Sequence, residues 1–145
     1  MAKFIVQRFM TVGPHVISSR HTLAQAHQTM REKGVRHLPV VDGGKLVGIV
    51  SQRDLYLLET LKGVDVAREL VEEAMSAEPI AVPPHAALDE VAEQMAAQRH
   101  GSAVVVDRGA VVGIFTTTDA LKALVSLLRR GRRGRDGEEG GGETG

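Results

Sequence analysis

No cysteine occurs in the 145 residues. That excludes a disulfide framework, a thiolate nucleophile and a thiolate metal site. Tryptophan is also missing, and Phe4, Phe9, Tyr56 and Phe115 are the only aromatics, so stacking platforms for single-stranded nucleic acid are poorly supplied. No apolar run approaches the ~18 residues of a membrane-spanning helix. The opening residues lack the long apolar stretch and small-residue cleavage site of a signal peptide, and a cytoplasmic location is expected. Net charge is zero, 18 basic residues against 18 acidic, so no global field argues for nucleic acid or a membrane surface. There is no Gly-x-Ser-x-Gly elbow and no Gly-Lys-Ser/Thr phosphate loop. His15, His21, His27, His37, His85 and His100 contain no pair at metal-binding helical spacing around a carboxylate, so no metal site is expected. Nothing positive argues for an enzyme.

What is present is an internal repeat. Residues 10–58 align without a gap on residues 75–123. Met10, Pro14, Leu23, Met30, Val40, Val41, Asp42, Gly44, Val47, Gly48, Ile49 and Asp54 match Met75, Pro79, Leu88, Met95, Val105, Val106, Asp107, Gly109, Val112, Gly113, Ile114 and Asp119. Two copies are too few for a solenoid, which needs about three. They imply a pseudo-symmetric pair packed on each other, with any site present twice.

Each copy reads as β-α-β-β-α, an α/β (α+β) unit. Val16-Ile17 and Ala81-Val82 are short extended pieces. Leu23, Ala26, His27 and Met30, and in the second copy Leu88, Val91, Ala92 and Met95, carry helical spacing. Two strands joined by a turn at Asp42-Gly43-Gly44 or Asp107-Arg108-Gly109 follow. Helices then run from Ser51 to about Leu61 and from Thr116 or Thr117 to about Leu128. Val66 to Met75 reads as a connecting helix. The strands are short and apolar, as expected when both faces are covered, and neither half buries a core comfortably alone. The expected organisation is residues 1–64 as repeat one with its lead-in, 65–128 as repeat two with the connecting helix, and 129–145 as a disordered tail. That tail holds Arg129, Arg130, Arg132, Arg133 and Arg135, then Asp136, Glu138, Glu139 and Glu143 among seven glycines.

Chemistry concentrates where the second strand meets its helix, at Gly48-Ile49-Val50-Ser51-Gln52-Arg53-Asp54 and Gly113-Ile114-Phe115-Thr116-Thr117-Thr118-Asp119. A helix N-terminus offers unpaired N–H groups to a phosphate. A hydroxyl there can donate to a phosphate or sugar oxygen, and a carboxylate three residues on can accept from both hydroxyls of a ribose. Ser-x-x-Asp and Thr-x-x-Asp are also capping boxes, which satisfy only the backbone. Their duplication in register, each behind an apolar hairpin, favours the ligand reading.

Leu38-Pro39-Val40-Val41-Asp42 with Gly48-Ile49-Val50-Ser51 and Arg53-Asp54 resembles a cystathionine β-synthase (CBS) domain, and the second copy resembles another. Met10-Thr11 and Met75-Ser76, each ahead of a proline, match the family's opening. The resemblance covers roughly residues 5–128. It implies a stand-alone CBS pair, or Bateman module, whose two clefts bind adenosine-containing ligands: AMP, ADP, ATP, NAD or S-adenosylmethionine. By position, Asp54 and Asp119 would hold ribose hydroxyls. Ser51, Thr116 and Thr118 would meet ribose or phosphate. Ile17, Leu38 and Pro39, with Val82, Ala103 and Val104, would sandwich adenine. Arg36, His37 and Arg53 would add cationic phosphate contacts. In the second copy Gly101-Ser102 replace Arg36-His37, Val104 replaces Pro39 and Thr118 replaces Arg53, so unequal sites are expected. The implied role is non-catalytic sensing, with a homodimer and an unidentified regulated protein as partners. The alternatives are a scaffold whose clefts bind no nucleotide and, more weakly, a nucleic-acid regulator acting through the arginine cluster.

Overall fold

The computed structural model describes residues 3–61 and 63–138, with side chains to residue 133. Eleven helices and strands are described, preceded by a single 3-10 turn at Val6–Arg8. They are β1 (Thr11–Val12), α1 (Leu23–Lys33), β2 (His37–Asp42), β3 (Lys45–Ser51), α2 (Gln52–Glu59), α3 (Val71–Ala74), β4 (Ala81–Val82), α4 (Leu88–Gln98), β5 (Ser102–Asp107), β6 (Ala110–Thr116) and α5 (Thr117–Glu138).

Local chemistry accounts for the boundaries. The Thr22 hydroxyl accepts from the Gln25 N–H while the Gln25 side chain accepts from the Thr22 N–H, a capping box that starts α1. Gly34 ends it in the left-handed conformation, φ 65°. Asp42-Gly43-Gly44 turns β2 into β3, with both glycines at positive φ. α2 stops at Glu59, two residues before the expected Leu61. The predicted connecting helix shrinks to α3, because residues 66–69 form turns instead.

The last helix departs most from expectation. α5 runs ten residues past Leu128 to Glu138, so residues 129–138 are helical rather than a disordered tail. Arginine has nearly the helix propensity of leucine, and extending a formed helix costs far less than nucleating one. Residues 139–145 lie outside the described residues.

The sheets reveal a reciprocal exchange. β1, β6, β5 and β4 form one sheet in that order, with β4 parallel to β5 and the other pairs antiparallel. β2 and β3 form an antiparallel hairpin, flanked by a parallel bridge Ile17–Val40 and an antiparallel bridge Ile49–Ser76. The lead-in of repeat one thus pairs with repeat two, Thr11 opposite Ile114, and the lead-in of repeat two pairs with repeat one, Ser76 opposite Ile49. The packing follows suit. Val6 is fully buried among Val91, Met95, Val105 and Phe115 of repeat two. Its repeat mate Val71 is fully buried among Leu23, Leu38, Val40 and Leu55 of repeat one. Backbone bonds match: Val6 N–H to Ala86 C=O at 2.9 Å, and Val71 N–H to His21 C=O at 2.8 Å. A third cluster, Ile49, Val104 and Ile114 with Leu46, Val106 and Val111, joins the two halves sheet to sheet.

The exchange explains two matched glycines. A Cβ built on Gly48 would lie 2.7 Å from both the Met75 sulfur and the Ser76 carbonyl oxygen, and one on Gly113 would collide with the Met10 side chain. Each lead-in methionine lies over the opposite repeat's glycine, which is why Met10, Met75, Gly48 and Gly113 are all repeated.

Candidate functional site

Ser51 ends β3 in extended conformation and caps α2. Its Oγ accepts from the Asp54 N–H at 3.1 Å, and Asp54 Oδ2 accepts from the Ser51 N–H at 2.8 Å. The capping box that the Ser-x-x-Asp spacing allows is therefore present. It uses only one carboxylate oxygen: among the described residues Asp54 Oδ1 makes no hydrogen bond. Beside it opens a cleft of about 610 Å³. Arg36, His37, Ser51, Arg53 and Asp54 line one wall, and Ser76 with the run Arg99 to Ser102 of repeat two lines the other. Five predicted residues are thus brought together.

The second copy is built differently. The Thr116 Oγ1 accepts from the Asp119 N–H at 3.2 Å, and Asp119 Oδ2 accepts from the Thr116 N–H at 3.0 Å. Thr11, carried across by the lead-in exchange, donates to Asp119 at 3.2 Å from each oxygen. Asp119 is consequently only 9% exposed. Ser76, the repeat mate of Thr11, accepts from the Glu78 N–H through its hydroxyl and leaves Asp54 open. Neither the large cleft nor a second cavity of about 410 Å³ between α4 and α5 is lined by Thr116, Thr118 or Asp119.

The residues expected around an adenine sit elsewhere. Ile17 and Leu38 belong to the core of repeat one, and Ala103 to that of repeat two. Val104 lies in the inter-repeat cluster, Pro39 is buried and Val82 half-buried. None of the six lines either cavity.

Electrostatically the cleft is cationic. Arg36, Arg53 and Arg99, with His37 and His100, share its lining with Asp54, the one carboxylate there. Among the described residues none of the three arginines makes an ion pair. Burial holds His37 below its usual value, opposed by the attraction of Asp54 and reinforced by Arg36. His37 reaches repeat two: its Nε2 lies 2.9 Å from where a Cβ on Gly101 would stand. Gly101, the repeat mate of Arg36, therefore makes room for His37.

Arg99 and His100 escaped the sequence reading. They occupy the positions of Gly34 and Val35 in the repeat alignment, and that replacement of a helix-ending glycine by arginine was the available signal. Among the described residues no cluster of three or more histidines and carboxylates could hold a metal ion, and no helix is long and apolar enough to cross a membrane.

A family model of the CBS domain matches residues 6–58 and again residues 71–126. The chain belongs to the CBS domain family. Its repeats are two CBS domains in tandem, with the mixed α+β fold of known CBS pairs. It is 34% identical over 117 residues to an inosine-5′-monophosphate dehydrogenase from Korarchaeum cryptofilum, covering 80% of this chain but 22% of that enzyme. It is 31% identical over 114 residues to the CBS domain-containing protein YhcV of Bacillus subtilis, covering 79% of this chain and 81% of that one. Among solved structures, the CBS pair of protein MJ0100 in complex with 5′-methylthioadenosine and S-adenosyl-L-methionine superposes with a TM-score of 0.78 at 26% identity, covering 86% and 98% of the two chains. CBSX2 in complex with AMP does so with a TM-score of 0.76 at 27% identity, covering 86% and 98%.

Proposed function

We propose that this CBS pair is a non-catalytic regulatory module that binds an adenosine-containing ligand in the cleft beside Asp54 and signals by changing the relative geometry of its repeats. The observation that carries this reading is Asp54 itself, a carboxylate with one oxygen uncommitted at the rim of a large cleft ringed by arginines. The free oxygen can accept from a ribose hydroxyl. The Ser51 hydroxyl, the N-terminus of α2 and the arginines suit a phosphate. The AMP complex of CBSX2 and the methylthioadenosine and S-adenosylmethionine complex of the MJ0100 pair support adenosine as the common element. Because both repeats line the cleft, a ligand in it prefers one inter-repeat arrangement, as a population shift requires.

Output passes through a homodimer to a regulated protein. Tyr56 on α2 and Leu121, Leu124 and Leu128 on α5 are each more than half exposed. They offer an apolar face that a second copy would cover.

The test is thermal unfolding with AMP, ADP, ATP, NAD and S-adenosylmethionine, against guanosine nucleotides as controls. A ligand at 100 times its dissociation constant adds about 2.7 kcal/mol, a shift of several degrees for a domain of this size. We expect an adenosine-selective shift that Asp54→Ala abolishes and Asp119→Ala retains. Unchanged affinity in Asp54→Ala would overturn the ribose assignment. No shift with any compound, confirmed by calorimetry, would leave the scaffold reading, which the closed surroundings of Asp119 favour for the second cleft.

A further inference from the structure

The cleft beside Asp54 is more cationic than a monophosphate needs, and its excess comes from the wrong repeat. Arg36, His37 and Arg53 stand on the repeat-one wall. Facing them, Arg99 and His100 enter from the end of α4 in repeat two. Their repeat-one mates are Gly34 and Val35, which carry no charge. Pseudo-symmetry therefore does not account for them.

Arg99 also holds a conformation that its side chain disfavours. It ends α4 at φ 56°, in the left-handed region that disfavours a residue with a Cβ. Its mate Gly34 takes φ 65° freely. A glycine would serve the fold at residue 99 at least as well, so the arginine is explained by its side chain. Among the described residues it makes no ion pair, and it borders both cavities. The neighbouring Gly101 lacks the Cβ that would meet His37 Nε2, so the two walls close on each other at this point.

We propose that Arg99 and His100 form the far wall of a polyphosphate subsite, making the ligand of this CBS pair an adenosine di- or triphosphate gripped across the two repeats. This rests on the adenosine reading above. A terminal phosphate presents three acceptor oxygens, whereas three guanidiniums bring five N–H donors each. A longer anionic chain engages more of them than a single phosphate can. An uncharged thioether nucleoside supplies no acceptor there, and a sulfonium nucleoside brings a positive charge to a positive wall. Because the grip spans both repeats, the phosphate chain rather than the adenosine would fix their relative angle.

Calorimetric titration of adenosine, AMP, ADP, ATP and S-adenosylmethionine into wild-type protein, Arg99→Gly, His100→Val and Asp54→Ala tests this. In the wild type, affinity should rise from adenosine through AMP to ATP. Arg99→Gly should weaken ATP about tenfold or more, the scale of one charge-assisted pair, leave adenosine unchanged and unfold at the wild-type temperature or above. His100→Val should weaken ATP more than adenosine, and Asp54→Ala should weaken every compound. Equal losses for ATP and adenosine in Arg99→Gly, or no loss for either, would overturn the polyphosphate subsite while the adenosine reading stands. A wild type that prefers S-adenosylmethionine or AMP to ATP would do the same. Failure of every compound to bind the wild type would remove both.

Discussion

Gly48 and Gly113 are matched residues under unequal constraint. The three atoms nearest a Cβ at Gly113 all belong to the flexible Met10 side chain, whereas one at Gly48 meets the Ser76 carbonyl oxygen at 2.7 Å, and that backbone cannot move without breaking the bridge from Ser76 to Ile49. Gly48→Ala should therefore cost about 1–3 kcal/mol, the usual scale of overpacking, and Gly113→Ala less. Urea unfolding of both variants measures the difference; equal costs would contradict this packing. Such inequalities limited what the sequence could disclose. Ser51, Asp54, Arg36, His37 and Arg53 were legible as site residues because a repeated strand-to-helix junction marks them. Thr11 and Ser76 were not, since the chain's crossing carries each to the opposite repeat, Thr11 onto the Asp119 carboxylate and Ser76 into the lining of the cleft beside Asp54. Asp42 and Asp107 show the converse. Both are repeated, yet only Asp42 accepts from Ser18 and Ser19, which hold its carboxyl below the usual range. Pro83 and Pro84 stand at the corresponding positions in repeat two, with neither a side-chain hydroxyl nor an N–H to give.

Among the elements, the long ones were readable and the short ones were not. α1 and α4 announce themselves by apolar spacing, and the β2–β3 and β5–β6 hairpins by their turn residues. β1 has two residues and no periodicity to detect. Its partner lies about a hundred residues away, so the exchange of lead-ins could not be seen. The glycines and charges of residues 129–138 mask the last turns of α5, since their composition is that of a solvated tail while arginine itself favours helix. The exchange makes a sharp prediction. Val6→Ala removes two buried methyl groups, worth about 1.6 kcal/mol before any cavity term, and it should loosen the repeat that follows rather than its own. Native-state hydrogen exchange should show faster opening in β5 and β6 with β2 and β3 little changed, and Val71→Ala should give the reverse. Loss of protection in β2 and β3 for Val6→Ala would contradict the exchange.

For the whole molecule, the proposed homodimer would be built on the exposed apolar side chains of α2 and α5. These helices hold equivalent places in the two repeats, and the match of Tyr56 with Leu121 in the alignment puts apolar side chains at both. Light scattering should find a dimer in the full chain and a monomer in the Leu121→Glu, Leu124→Glu double variant. A monomer in both would leave the apolar face without the proposed occupant. The lead-in exchange bears as well on how the chain emerges from the ribosome. Repeat one is complete once Val71 and Met75 are out, since the residues that finish its core directly follow it. Phe4, Val6 and Phe9 belong to a core whose last contributor is Leu127, and they must wait for it. At roughly 5–20 residues per second the interval of about fifty residues lasts roughly 3–10 s. During that time the apolar side chains of residues 4–9, made ahead of repeat one, wait for the core that covers them, which leaves this stretch of nascent chain open to capture by a chaperone.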